Sequence, residues 1–157
     1  MRYILGIDPG LSGGLALYDT VLGEVETFEV PTLLAGSKSK AGKNKRIMDG
    51  SELARFVDQH SKNIKKVVIE QVHAMPGQGV TSMFNFGDGY GVMKGIIFAN
   101  FLPIEFVTPQ AWKKALKVPA AKDGARLRAT QLFPRQAAQW NKVKWDGRAE
   151  AAMIAYY

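Results

Sequence analysis

The stretch KKVVIEQVHAMPGQG, Lys65 to Gly79, ends an apolar run with an acid: Val67, Val68 and Ile69 read as a buried strand, and Glu70 closes it. A buried carboxylate is costly unless a cation or several donors meet it, so distant residues must supply the partner. Asp8 likewise ends the apolar run RYILGID. Asp146 and Glu150, in the closing WDGRAEAAMIAYY, are four apart and share one helical face. If the strands ending in Asp8 and Glu70 are parallel neighbours, their carboxylates emerge side by side, and the last helix need only cross that edge to join them. Like charges so close shift one another's pKa. A hard divalent cation resolves the repulsion, and Mg²⁺ takes few carboxylates while keeping waters for substrate. An acidic metal pocket in a basic chain suits two-metal phosphodiester hydrolysis, with ions about 3.5–4 Å apart, one preparing the attacking water and one stabilising the leaving oxygen. Taken singly, each acid also has a structural role open to it. Asp8 can serve the turn at Pro9-Gly10, Glu70 a buried Arg or Lys, Asp146 a helix cap, and Glu150 the solvated surface.

The elements that must position these acids are legible in outline. RYILGID, GGLALYD and EVETFEV, joined by short Gly-containing turns, predict a three-stranded antiparallel meander. PTLLAGSKSKAGKNKRIMDG reads as a polar loop. DGSELARFVDQHSKN predicts a helix capped by Ser51, and IKKVVIEQV a fourth strand. TSMFNFGDGYGVMKGIIFAN predicts a long helix in which Gly87, Gly91, Gly95 and Ala99 form a small-residue stripe open to close approach by another element. PIEFVTP is a fifth strand, and Thr108 caps the next helix with Pro109 in its first turn. AKDGARLRATQLFP and an amphipathic WDGRAEAAMIAYY complete the chain. Meander first, then strands alternating with helices: the order implies an α/β fold with a mixed five-stranded sheet flanked by helices.

Composition narrows the partner. The 157 residues, 46% hydrophobic, suit one domain spanning 1–157. Twenty-one Lys and Arg against 14 acids leave a net charge of +7, which points to a polyanion such as nucleic acid. There are no cysteines and only two histidines, His60 and His73, which rules out thiolate metal sites and disfavours zinc. No apolar run approaches the roughly 18–20 residues of a membrane span, and MRYILGIDPG enters a strand without a signal-peptide cleavage region. The expectation is a cytoplasmic protein without a membrane partner.

GIDPGLSGGLALYD, VVIEQVHAMPGQG and WDGRAEAAMIAYY, with FVTPQAWKKALKVPAAKDGARLRATQLFP between them, resemble the RuvC-type Holliday junction resolvases of the ribonuclease H-like superfamily over nearly the whole chain. The resemblance implies a homodimer that binds four-way junction DNA and nicks opposing strands. It implies dependence on Mg²⁺ (or Mn²⁺), two ions per site, and 5′-phosphate and 3′-hydroxyl products. Asp8, Glu70, Asp146 and Glu150 then become the catalytic, metal-binding carboxylates. The Asp-x-x-x-Glu spacing departs from the three-residue spacing usual in cellular members, and with the long basic segment it resembles the phage-encoded branch. The setting implied is bacterial cytoplasm or a phage-infected host cell.

The same resemblance assigns DNA contacts to His73, Lys113, Lys114 and Lys122. An imidazole at His73 can stack on an exposed base, and the lysines can meet phosphate. Lys38, Lys40, Lys43, Lys45 and Arg46 form either a DNA clamp or a solvated loop. Phe84, Phe86 and Tyr90 form a dimer or DNA surface, or simply fill the core. GSKSKAGKN is no nucleotide loop, since Asn44 replaces the Ser/Thr after the lysine, and GDGYGV lacks the third glycine of a dinucleotide site. No nucleotide cofactor is expected. The competing functions are a non-catalytic junction-binding protein, a structured-RNA-processing nuclease, and a sugar-kinase or actin-type ATPase, which would need two such domains.

Overall fold

A computed structural model of the chain describes residues 1–38 and 42–157. Its elements run β1 (Tyr3–Asp8), β2 (Gly14–Asp19), β3 (Glu24–Glu29), β4 (Thr32–Lys38), β5 (Asn44–Met48), α1 (Gly50–Ser61), β6 (Ile64–Glu70) and α2 (Val80–Ala99). Then follow β7 (Ile104–Val107), α3 (Pro109–Ala115), α4 (Gly124–Leu132), two 3-10 turns and α5 (Asp146–Tyr156). The main sheet has the order β3-β2-β1-β6-β7. β1, β2 and β3 pair antiparallel, while β6 lies parallel to both β1 and β7. This is the mixed five-stranded sheet expected from the sequence.

Side-chain alternation divides the sheet into two faces. Leu5, Ile7, Leu15, Leu17, Val67 and Ile69 point to one core, filled by Leu53 and Val57 of α1 and by Met93 and Ile97 of α2. Ala16, Val25, Val68 and Val107 point to the other, filled by Trp112, Ala129 and the small residues of α5. Gly6 and Asp8 on β1, and Val68 and Glu70 on β6, share the parity of this second face. Both strand-end acids are therefore directed toward α5, not toward α1 and α2.

Glycines let α5 lie directly on the sheet. A Cβ on Gly6 would stand 2.4 Å from the Ala151 carbonyl oxygen, and one on Gly14 would stand 2.5 Å from that of Gly147. In return, a Cβ on Gly147 would come within 2.4 Å of the Ser12 carbonyl oxygen. No side chain separates the backbones there. The helix expected to be amphipathic is thus buried almost all round, from Ala151 through Ala155 without interruption.

Three local expectations change. The Lys-rich segment is an antiparallel hairpin rather than a loop, with Leu33 opposite Ile47 and Leu34 opposite Arg46. Its strand pattern was masked by Lys, Ser and Gly, and Arg46 reinforces it by donating from Nε to Thr32 Oγ1 at 2.7 Å. Lys38, Lys45 and Arg46 are exposed on this ribbon, as is Lys43 just before β5, while Lys40 lies outside the described residues. The cap of α1 is Asp49, whose Oδ1 accepts from the Glu52 N–H at 3.0 Å, and not Ser51. Among the described residues the glycines of the α2 stripe meet nothing: a Cβ on Gly87, Gly91 or Gly95 would enter open space.

Candidate active site

β1 and β6 run parallel in register, Ile7 beside Ile69, so the next residues, Asp8 and Glu70, leave the sheet as neighbours. Gly147 against the turn after β1 brings the first turns of α5 over this edge. Glu150 follows one turn later, and its charge acts on both Asp8 and Glu70. Lys113 of α3 completes the group by pairing with Glu150 Oε1 at 3.0 Å.

The electrostatics are those of carboxylates short of positive charge. Asp8 is pushed well above the ordinary aspartate range, first by burial and then by the charges of Glu150 and Glu70, with Lys113 compensating only in part. Glu70 is also raised, mainly by burial. It keeps one firm partner, the Trp112 indole, which donates from Nε1 to Glu70 Oε2 at 2.7 Å and holds the pKa down. Lys113 is opposed by burial, yet its hydrogen bond to Glu150 and the three negative charges raise it overall. Asp19 shows the contrast. Arg2 donates to its Oδ2 at 2.5 Å and two backbone N–H groups bind its Oδ1, so it falls to about 2. Full pairing was available to this fold, and Asp8 did not receive it.

Asp146 stands apart. Its Oδ1 accepts from Arg126 Nε at 2.5 Å, and its charge is absent from those that move Asp8 and Glu70. It shares with Glu150, Lys113 and Lys122 the lining of a hollow of ≈ 440 Å³. Glu70 itself lines a separate cleft of ≈ 550 Å³, together with Gln71, His73, Phe86 and Gln110. His73 thus shares a hollow with Glu70 and Lys122 shares one with Asp146 and Glu150, and Lys113 sits among the carboxylates. Lys114 is exposed on α3 and lines neither hollow. Of the aromatic residues of α2 singled out above, Phe86 faces the cleft, Tyr90 packs on the core and Phe84 is 73% exposed.

An all-oxygen donor set that raises its own pKa values suits a hard divalent cation. Among the described residues, no three His, Cys, Asp or Glu side chains are gathered tightly enough to enclose an ion as they stand. Lys113 provides the compensating charge in this arrangement. The residues that sequence reasoning missed are Trp112, which looks like ordinary core, and Arg126, which looks like a solvated helix residue. Only the tertiary contacts reveal their carboxylate partners.

No protein-family model matches the chain, and no curated protein sequence matches it. Solved structures do. A Thermus thermophilus RuvC in complex with Holliday junction substrate aligns with a TM-score of 0.61 at 16% identity, over 99% of this chain and 90% of that one. The fold is that of the RuvC resolvases. A second Thermus thermophilus RuvC structure aligns with a TM-score of 0.55 at 18% identity, over 99% of this chain and 94% of that one. The yeast mitochondrial Holliday junction resolvase Ydc2 aligns at 0.56 and 16% identity, over 97% of this chain and 75% of that one. Among the described residues no helix is long and apolar enough to cross a membrane.

Proposed function

We propose that this chain is a structure-selective DNA endonuclease that resolves four-way junctions by paired, metal-dependent phosphodiester hydrolysis, leaving 5′-phosphate and 3′-hydroxyl ends. The observation that carries the proposal is the convergence of Asp8, Glu70 and Glu150 at one sheet edge, under-compensated in charge, in a chain of net charge +7. A protein that only bound DNA would gain nothing from acids facing phosphate. The RuvC-like fold supports the choice of junction DNA over other polyanions.

Asp8, Glu70 and Glu150 would hold the divalent cations, Mg²⁺ or Mn²⁺ and two per site, with Asp146 at the rim. When bound, such ions supply Lewis acidity toward the attacking water and the leaving oxygen. Trp112 ties down one oxygen of Glu70, which orients the other toward the site. Lys113, close to all three acids, is placed to donate to a phosphate oxygen and balance charge there. His73 and Lys122, on the two flanking hollows, are placed to meet the DNA on either side. Lys114 supplies a more distant phosphate contact.

One site cuts one strand, so paired nicking requires two copies, and a two-fold dimer matches a two-fold junction. The open stripe of Gly87, Gly91 and Gly95 on α2, beside exposed Phe84 and Phe98, supports that helix as the contact with a second copy. The deciding experiment incubates an end-labelled four-way junction with the protein in Mg²⁺ and in EDTA, with linear duplex, Y-fork, single strand and structured RNA as competitors. Paired, ligatable nicks that vanish in EDTA are expected. Preferential cutting of the RNA, or tight binding without nicks, would replace the proposal by one of its alternatives.

A further inference from the structure

A cluster of cations near the same edge has no part in the chemistry above. Trp145, just before α5, carries Lys142 Nζ at 4.9 Å, Arg148 Cζ at 5.1 Å and Lys144 Nζ at 5.2 Å from its ring centroid. Among the described residues none of these three is ion-paired with a carboxylate. Three like charges around one ring repel one another; the negative face of the indole offsets part of that repulsion, and a bound anion would offset the rest.

The cluster is anchored. Arg148 donates from Nε to Thr27 Oγ1 at 3.1 Å and from Nη2 to the Thr27 carbonyl at 2.6 Å. Gln139 Oε1 accepts the Thr27 N–H at 2.7 Å, so the edge strand itself is pinned. Lys142 and Lys144 are exposed and reach outward from this base.

Register fixes where the cluster lies. Ala16 pairs with both Gly6 and Thr27, which places Thr27 in the row of Gly6, two residues short of Asp8 and two strands away. With strands about 4.8 Å apart, the cluster stands roughly 10–15 Å from the Asp8–Glu70 pair. One strand of a duplex advances ~3.4 Å of axis per phosphate but also winds around that axis, so in space its phosphates lie about twice as far apart and the span corresponds to about two of them.

We infer that Lys142, Lys144 and Arg148, gathered on Trp145, form a second phosphate-binding subsite that grips the cut strand about two nucleotides from the scissile phosphate. The subsite rests on the endonuclease proposal, and its work is to set the strand in register over the carboxylates.

The test compares wild type, Lys142→Ala/Lys144→Ala, and a control, Lys62→Ala/Lys65→Ala, which removes two exposed lysines from the opposite end of the sheet. Equal melting temperatures establish that all three are folded. Binding of a labelled four-way junction is measured in EDTA across a salt series, and ethylation interference maps the phosphates that matter. The Lys142/Lys144 variant should lose about 10-fold or more in affinity, and its slope of log K against log salt should flatten by about 2. It should also lose interference at phosphates about two from the wild-type nick while keeping the rest. Equal losses in the control, or an unchanged interference pattern, would overturn the subsite. Failure of wild type itself to bind and nick the junction would overturn the endonuclease proposal, and the subsite with it.

Discussion

At the residue scale, the site is defined by a deficit of positive charge. Asp8 and Glu70 both titrate above their ordinary ranges. The folded state therefore holds protons that the unfolded chain has already lost, and metal-free stability falls as pH rises from about 4 through the raised values. Asp8→Asn removes the charge and should raise the melting temperature in EDTA at neutral pH. The same variant should lose junction cleavage by at least about 100-fold and lose the gain in melting temperature on adding Mg²⁺ that is expected of wild type. A variant that cuts normally would refute the assignment of Asp8. Trp112→Phe tests the one donor that Glu70 has among the described residues. Loss of a hydrogen bond to a charged group costs about 1.5–3 kcal/mol. Urea unfolding should report that loss at neutral pH and a smaller one at acid pH, where Glu70 is protonated.

At the element scale, position is controlled by backbone contact between α5 and the strands. For Gly147→Ala two effects oppose each other. Helix propensity favours Ala by about 1 kcal/mol. Against it stands a Cβ placed 2.4 Å from the Ser12 carbonyl oxygen and 2.6 Å from Gly13 Cα, both backbone atoms unable to swing aside. Overpacking of about 1–3 kcal/mol wins, so the variant should be destabilised by denaturant titration. Because Glu150 rides one turn further along the same helix, the Mg²⁺-induced stabilisation should fall as well. The β4–β5 hairpin is the opposite case: a two-stranded ribbon is marginal alone. It leans on α2 through Met48, which lies against Gly89.

At the scale of the whole molecule, the exposed glycines of α2 make a quantitative test of assembly. Position 91 is open in the single chain, so Gly91→Glu has room to fold there. If this face meets a second copy, Gly91→Glu places two like charges in the interface, and sedimentation should show dimers giving way to monomers. Junction nicking should then become single and unpaired. Unchanged sedimentation would move the interface elsewhere. The excess of positive charge, spread over α3, the β4–β5 hairpin and the Trp145 cluster, should also make junction affinity fall steeply with salt.

The five strands of the main sheet, the acids that end two of them and the cap at Thr108 were determined by the sequence, because period-two alternation and capping chemistry are local. The joint emergence of Asp8 and Glu70 depends on β1 and β6 being parallel neighbours, a condition the sequence poses and the sheet order meets. Tertiary structure alone decided which terminal acid joins them. Asp146 and Glu150 share a helical face by spacing, but Arg126 holds the first while Lys113 and the two strand-end acids act on the second. It also decided that Trp112 partners Glu70, across 42 residues, and that a Lys-rich stretch is a hairpin. Such pairings depend on how closely separate elements approach. In this chain that distance is set by glycines meeting backbone, a property no local window of residues contains.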